Sequence, residues 1–557
     1  MQNELLLNWY LSAYCTQKLD HLQPPLSDIL RIGAYQILFL DKVPDHAAVS
    51  ESVELCRTNG RSAASGLVNA VLRKVAQNKS NLPPLPEGNF ARLSVAYSHP
   101  QWLVKKLVSL LGVEEAEAFL RIDNEASPIS VQVNPLKTNE KALVDELRGE
   151  GVCVTPHPWV PGCLELSGTG DLTTLSAFYN GRFTVQDAAA HLIVCAADFA
   201  RGQRVLDVCA APGGKTTLYA SLAGPDGLVV ANEIDRRRAQ VLADNVRKWG
   251  TGNVAVTTCE ARQLGGFEAW FDVVAVDAPC SGEGMFRKDR DARGEWSEGN
   301  VKLCAARQDE LLREAWRALK PGGVLIYSTC TFNRDEDEGA LERMLGWAED
   351  EAAQAGEVAV DASWGIVCGR VGAFRTFRFY PHRARGEGFF AAVVRKAFDA
   401  GGRCRTPKAR RTVFASVERA AAAELRRWVN SPERMCFVTV ADTCYGYYVA
   451  QAEAVKALAE ALPVIYSGVA MGQLFKGRLR PDPALAFFCG LNRDAVPAAE
   501  LDEEQTLRFL RRQEIGAGPF AEGINLVCAR GRALGFAKRI GNRVNNMYPN
   551  SLRIIKQ

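Results

Sequence analysis

Two spacings of apolar residues alternate along the chain, and each change of spacing marks a change of structure. Over residues 1–80 the apolar positions recur every three or four residues, as in "LSDILRIGAYQILFL" and "GLVNAVLRKVAQ". That period predicts amphipathic helices. The Pro-rich stretch "SNLPPLPEG" (80–88) breaks the pattern and predicts a boundary. Residues 89–180 combine a helix in "HPQWLVKKLVSLLG", a strand in "ISVQVNPL" and a helix in "NEKALVDELRGEG", the make-up of a small α+β module. From 181 to 398, short apolar runs alternate with helical patterns. The predicted strands are "RVLDVCA", "GLVVANEI", "NVAVTTCEA", "FDVVAVDAP", "GGVLIYSTC", "TFRFYP" and "GFFAAVVRK". Such alternation predicts an α/β domain, a parallel sheet with helices on both faces. A basic linker (399–414), an α/β subdomain (415–475) and a last region (476–557) follow.

Composition narrows the class. A length of 557 residues predicts about three to five domains. Apolar residues at 47% and charged residues at 24% are ordinary globular values. No apolar run is long enough to span a bilayer, and the first residues lack the basic head and apolar stretch of a secretory signal. The 16 cysteines are spread along the whole chain without a Cys-x-x-Cys pair. This predicts a reduced, cytoplasmic protein with mostly buried thiols. Six scattered histidines point away from a zinc site, and no metal is expected. The net charge of +3 is mild, but "GRCRTPKARR" (402–411) concentrates Arg403, Arg405, Lys408, Arg410 and Arg411. Such a run is either a solvated linker or a stripe for phosphates.

The candidate chemistry begins at "DVCAAPGGKTT" (207–217), whose end resembles an ATPase phosphate loop. That loop requires a further glycine where Cys209 stands, so the backbone is ill suited to wrap phosphates. The alternative is a strand, a glycine turn and a helix at the C-terminal edge of a sheet, where backbone can approach a nucleoside. An acidic residue ending the next strand then takes the ribose, and "VVANE" supplies Glu233. Cys280 in "DAPCSGEGMFRKD" and Cys330 in "YSTCTF" end the fourth and fifth strands. In an open α/β sheet both ends face one crevice.

Together, "CAAPGGKTT", "DAPCSGEG" and "YSTCTFN" resemble the Sun family of S-adenosylmethionine-dependent RNA cytosine-5 methyltransferases. The likeness extends to both ends. "LSDILRIGAYQILFLDKVPDHAAVSESVEL" and "GLVNAVLRK" resemble the NusB-like RNA-binding domain of the RsmB-like branch, entered with its first helices missing. "GEGMFRKDRDARGEWS", "GQLFKGRLRPDPALAF" and "LGFAKRIGNRVNNMYPNSLR" resemble the RsmF-like branch, the last two in its PUA-like region. The implied architecture is a NusB-like helical front (1–80), an RRM-like α+β module (89–180), a Rossmann-like class I methyltransferase core (181–398) and a PUA-like RNA-binding end (476–557).

The resemblance also implies roles. Cys330 adds to carbon 6 of cytosine, and Cys280 helps to release the methylated product. Asp277 hydrogen-bonds the base edge, and Lys215 brings positive charge to the crevice. The loop Cys209, Ala210, Ala211, Pro212, Gly213, Gly214 and Lys215 passes under the methionine part of S-adenosylmethionine, with Asp277 closing the pocket. Glu233 takes the ribose. Glu260 faces the adenine and stands where the family usually has Asp. Gln132 stands where it more often has Arg. Arg287, Lys288, Lys538 and Arg543 are candidate RNA contacts. The expected partner is 16S ribosomal RNA, and the expected enzyme is a monomer with no membrane attachment. The competing readings are a phosphate-loop NTPase and a non-catalytic RNA-binding assembly factor.

Overall fold

The computed structural model describes residues 2–195, 199–289, 291–348, 351–354, 360–400 and 403–554. The chain forms two units, 1–126 and 127–557. The first is helical. Helices Glu4–Ser12, Leu26–Phe39, Asp45–Thr58 and Ser65–Gln77 bury Leu7, Leu30, Val68 and Leu72 in a common core. Helix Asn89–Tyr97 packs on the first of these helices and on the two that follow it, Gln101–Leu111 and Val113–Asp123. The compact helical unit runs on past the boundary expected at 80–88, to 126. The Pro-rich stretch is a connection inside the helical unit, held there by the Trp9 indole on the Pro84 carbonyl (3.0 Å).

The second unit opens with a four-stranded antiparallel sheet of β1 (Ile129–Val133), β2 (Cys153–Pro156), β3 (Cys163–Ser167) and β4 (Phe183–Val185), in the order β2-β3-β1-β4. Helix Glu140–Gly149 covers it through Leu143 and Leu147, against Val131 and Leu164.

The catalytic sheet contains β5 (Arg204–Asp207), β6 (Leu228–Asn232), β7 (Val254–Thr257), β8 (Phe271–Asp277) and β9 (Leu319–Thr329). It continues with β10 (Ala352–Gln354), β11 (Val367–Val371), β12 (Phe374–Phe379) and β13 (Phe389–Lys396). All seven strands read from the sequence are present. The order is β11-β12-β13-β9-β8-β5-β6-β7, with β9 through β7 parallel and β10 to β13 antiparallel. The central strands are buried on both faces, which is why they read as continuous Val-rich runs. The order reverses at β5, flanked by β6 and β8. Ligands of open α/β sheets bind beyond the strand ends at such a switch point.

Two expected boundaries differ in the structure. Strand Val464–Ser467, assigned to a separate subdomain (415–475), pairs antiparallel with β7 and closes that edge of the catalytic sheet. An open edge offers unpaired N–H and C=O groups, and this strand satisfies them. The division at 475/476 falls in the turn between strands Val469–Phe475 and Arg478–Pro481, which pair through Phe475 and Arg478. One core joins Leu425, Met471 and Phe488 to Leu526 and Phe536, so 415–491 and the last sheet pack as one body. Among the described residues, no helix is long and apolar enough to cross a membrane.

Candidate active site

Strand β5 ends at Asp207 and turns through Cys209–Gly213 into helix Gly214–Ala223. Gly213 has φ +111°, a region that favours glycine. The space beside these glycines is filled by protein. A Cβ on Gly213 would stand 2.8 Å from Leu242 Cδ1, and one on Gly214 2.0 Å from Gln186 Oε1. The two glycines thus seat the loop between β4's exit and the next helix, and only through that placement shape a ligand site. The loop's N–H groups are partly spent, since Ala210 N donates to the Asn232 carbonyl (2.8 Å). The Cys209 thiol is pushed up by burial and then by Asp207, Asp277 and Glu233, so it is not a thiolate.

Those three carboxyls define the pocket. Asp207 is buried. Its Oδ2 accepts from Thr216 Oγ1 (2.7 Å), while Oδ1 has no protein partner. Burial pushes its pKa up to about 7, against the pull of Thr216 and Lys215 and with Asp277 and Glu233 adding to the rise. Glu233, also buried, accepts from Asp235 N (3.0 Å) and pairs with Arg238 (3.3 Å). Arg238 also donates to the Ala211 carbonyl (2.9 Å), so it bridges the glycine loop and the expected ribose acceptor. A loop facing three carboxyls repels a polyphosphate and suits a cationic sulfonium donor, which weighs against the NTPase reading. The unpartnered Asp207 oxygen and the carboxylate of Glu233 are acceptors matched to an ammonium and a ribose diol. The residues therefore fit S-adenosylmethionine. Glu260 is exposed and forms a capping box with Gln263 at the start of helix Ala261–Gly265.

Beyond β8 and β9 the two cysteines meet. Their strands are hydrogen-bonded neighbours, with Asp277 opposite Ser328. The Sγ atoms of Cys280 and Cys330 are 3.3 Å apart, and all sixteen cysteines are free. The Cys280 thiol is pushed well above its usual range by its hydrogen bond with Cys330 and then by burial. The two thiols thus share one hydrogen bond, in which either sulfur can be the donor. Lys215 Nζ lies 2.6 Å from Asp277 Oδ2, and Ser328 Oγ donates to Asp277 Oδ1 (2.7 Å). Burial alone would lower the Lys215 pKa, but Asp277, Asp207 and Cys330 outweigh it, so Lys215 stays charged.

Two buried glutamates cross-link the cysteine loops. Glu336 accepts from Ser281 N (3.0 Å), Gln308 Nε2 (2.9 Å) and Asn333 Nδ2 (2.6 Å). Glu283 reaches the other way, accepting from Phe332 N (3.0 Å) and Trp296 Nε1 (2.9 Å). Asn232 similarly ties three strand ends, donating to the carbonyls of Val208 and Cys259 and accepting from Thr257 Oγ1. The sequence reading missed Asp207, Arg238, Glu283 and Glu336. Glu283 lay inside the quoted "DAPCSGEG", and Asp207 ends a strand directly before the glycine turn. Glu336 and Arg238 carry no local signal.

The expected RNA contacts separate. Arg287 is 7% exposed and faces the buried Glu387 (3.7 Å), so it serves the interior. Lys288 is exposed, beside the same carboxylate (3.9 Å). Lys538 and Arg543 are exposed on paired strands. Gln132 is buried with both amide atoms unpartnered, so it presents nothing to RNA. In the basic run, Arg405 pairs with Glu268 and Arg411 donates to the Ala459 and Leu462 carbonyls, which straps this segment to the domain.

Residues 194–395 match the family described as 16S rRNA methyltransferase RsmB/F. The ribosomal RNA small subunit methyltransferase B of Sodalis glossinidius is 30% identical over 395 residues, 70% of this chain and 86% of that one. The chain belongs to the RsmB/F family of 16S rRNA methyltransferases. The corresponding protein of Salmonella arizonae is 30% identical over 354 residues, 62% of this chain and 79% of that one. The crystal structure of PH0851 superposes with a TM-score of 0.56 at 28% identity, covering 71% of this chain and 87% of that one. Residues 1–77 match the NusB family, 99–173 the ferredoxin-like domain of RsmF/B-like methyltransferases, and 496–554 the PUA domain of methyltransferase RsmF. This RsmB/F member therefore joins a NusB front to an RsmF-type PUA end, around an S-adenosylmethionine-dependent core.

Proposed function

We propose that this RsmB/F enzyme forms 5-methylcytosine in 16S ribosomal RNA through a covalent adduct between Cys330 and carbon 6 of the base. The observation that carries the reading is the pair of sulfurs 3.3 Å apart at neighbouring strand ends, beside the Asp277–Lys215 ion pair. Carbon 5 of cytosine is a poor nucleophile, and addition of a thiolate to carbon 6 converts the ring into an enamine that carbon 5 can use. Cys330 takes the role of attacking sulfur from the family resemblance, which gives Cys280 the later one. Asp277 hydrogen-bonds the base edge and stabilises the adduct. Lys215 pairs with Asp277 (2.6 Å) and adds positive charge beside the attacking sulfur. S-adenosylmethionine, when bound, supplies the methyl group. Cys280 then assists loss of the carbon 5 proton, after which the Cys330 sulfur departs and the aromatic ring is restored. The target base leaves its stack to reach the crevice. Cys209–Lys215, Glu233 and Asp277 hold the donor, with Glu260 toward the adenine.

The test separates the thiols. Cys330→Ala loses methylation and forms no adduct. Cys280→Ala forms the adduct and cannot resolve it, so the protein stays attached to RNA and migrates slowly on a denaturing gel. A trapped band with Cys330→Ala and none with Cys280→Ala would reverse the assignment. Bisulfite sequencing of treated 16S RNA identifies the cytosine.

A further inference from the structure

Far from the cysteines, a cleft of about 240 Å³ opens where the α+β module, the loop 486–493 and the last sheet meet. Four cations line it: Lys137, Arg182, Arg493 and Arg532. Among the described residues, Glu146 is the carboxylate ion-paired with them, and it is shared between Arg182 and Arg532. Among the described residues, Lys137 has no acidic partner. Its Nζ donates to the carbonyls of Asn180 (3.0 Å) and Lys248 (2.7 Å). Lys248 lies behind it, partly buried, with its Nζ over the Phe178 ring (3.8 Å to the centroid). Burial brings both lysines down to about 8, where most of each remains charged at neutral pH. Asn180 and Arg182 are more than nine-tenths buried and line the cleft, and the Arg182 Nε–H is a donor with no protein partner. Four cations thus line the cleft against one carboxylate, an imbalance that a bound anion offsets.

We propose that this cleft binds a backbone phosphate of the RNA substrate. The mouth favours a polymer. Arg493 is exposed, Arg532 is 32% exposed, and Leu136 presents an apolar surface to an adjoining sugar or base. The cleft also lies at the far end of the donor-site helix. That helix, Arg236–Trp249, begins beside Glu233 and ends at the Lys248 carbonyl that Lys137 holds. Fourteen residues span about 20 Å, so the phosphate belongs to RNA outside the target base's immediate neighbours. The cleft therefore anchors structured RNA without touching the reaction. This inference rests on the reading that the substrate is RNA.

Arg493 is the residue to change, since its one side-chain contact of note is with Cys528 Sγ (3.3 Å) and no ion pair depends on it. In the full chain, Arg493→Glu should weaken binding of a 16S RNA fragment about tenfold at low salt. It should also reduce the slope of log affinity against log salt by about one, the signature of one lost phosphate contact. Arg493→Lys should restore most of the affinity, and calorimetric binding of S-adenosylhomocysteine should be unchanged in both. Wild-type affinity and slope in Arg493→Glu overturn the proposal. So does a loss of inorganic phosphate binding with RNA affinity intact, which would make the cleft a site for a free anion. A wild-type chain that binds the RNA through Arg493 but modifies no cytosine would overturn the cytosine reading and leave this one standing.

Discussion

Glu233 has its carboxylate in a buried setting with one donor from backbone and one from Arg238. Glu233→Ala removes the ribose acceptor and leaves polar groups of the donor unpaired. Binding of S-adenosylhomocysteine should weaken by about 1–3 kcal/mol, read by titration calorimetry, and unchanged affinity would remove Glu233 from the pocket. Asp207 makes a different prediction. Its folded pKa, about 7, lies above the ordinary value of 3.8, so between these values the folded chain keeps a proton that the unfolded chain has released. Stability contributed by this group is therefore present below pH 4 and declines as pH rises toward 7. At about 1.4 kcal/mol per unit the loss is on the order of 4 kcal/mol. Asp207→Asn keeps an acceptor for Thr216 and does not titrate, so its melting midpoint relative to wild type should rise between pH 5 and pH 8. Parallel profiles for the two proteins would mean that Asp207 is ionised throughout. The motif residues were legible because glycine, proline and cysteine at strand ends have few other uses. Asp207's orphaned oxygen was not, since burial is a property of surroundings.

At the scale of elements, the cysteine loops depend on close backbone approach. A Cβ on Gly284 would lie 2.5 Å from the Gly388 carbonyl oxygen and 2.9 Å from that of Cys330. Gly284 N also donates to the Cys330 carbonyl (2.8 Å). Gly284→Ala should push the loops apart at a cost of about 1–3 kcal/mol. Methylation should fall by at least tenfold with donor affinity kept, because the switch-point pocket beside β5 is built separately. Equal activity of this variant in a single-turnover assay would show that the loop spacing is not needed. The strands of this region were legible as apolar runs of the right length between turn signals. The edge strand Val464–Ser467 was not assigned to the catalytic sheet, because pairing across some two hundred residues leaves no trace in local periodicity.

For the whole molecule, the PUA end and the catalytic core divide the work. Removing 496–557 should weaken RNA binding and flatten its salt dependence, since Lys538 and Arg543 are lost and the cationic cleft loses Arg532. Donor binding should persist, because the pocket residues Asp207, Glu233 and Asp277 lie at or directly after strand ends of the catalytic sheet. The truncation also uncovers Phe487, which packs against Phe509 and Tyr548, so the melting midpoint should drop. Loss of donor binding together with RNA binding would make the PUA end part of the catalytic core.

Sequence by itself determined the strand–turn–helix of the donor loop, the two strand-end cysteines and the mixed character of the front and back. Each is set by residues adjacent in the chain, where backbone preference and side-chain spacing act directly. Tertiary structure decided the rest. It brought Cys280 and Cys330 into contact. It drew Arg287 inward to Glu387, carried the compact helical unit on to 126, and collected Lys137, Arg182, Arg493 and Arg532 at one cleft. Those outcomes depend on which distant segments share a low-dielectric interior, and charge and protonation there follow from the neighbours that packing supplies.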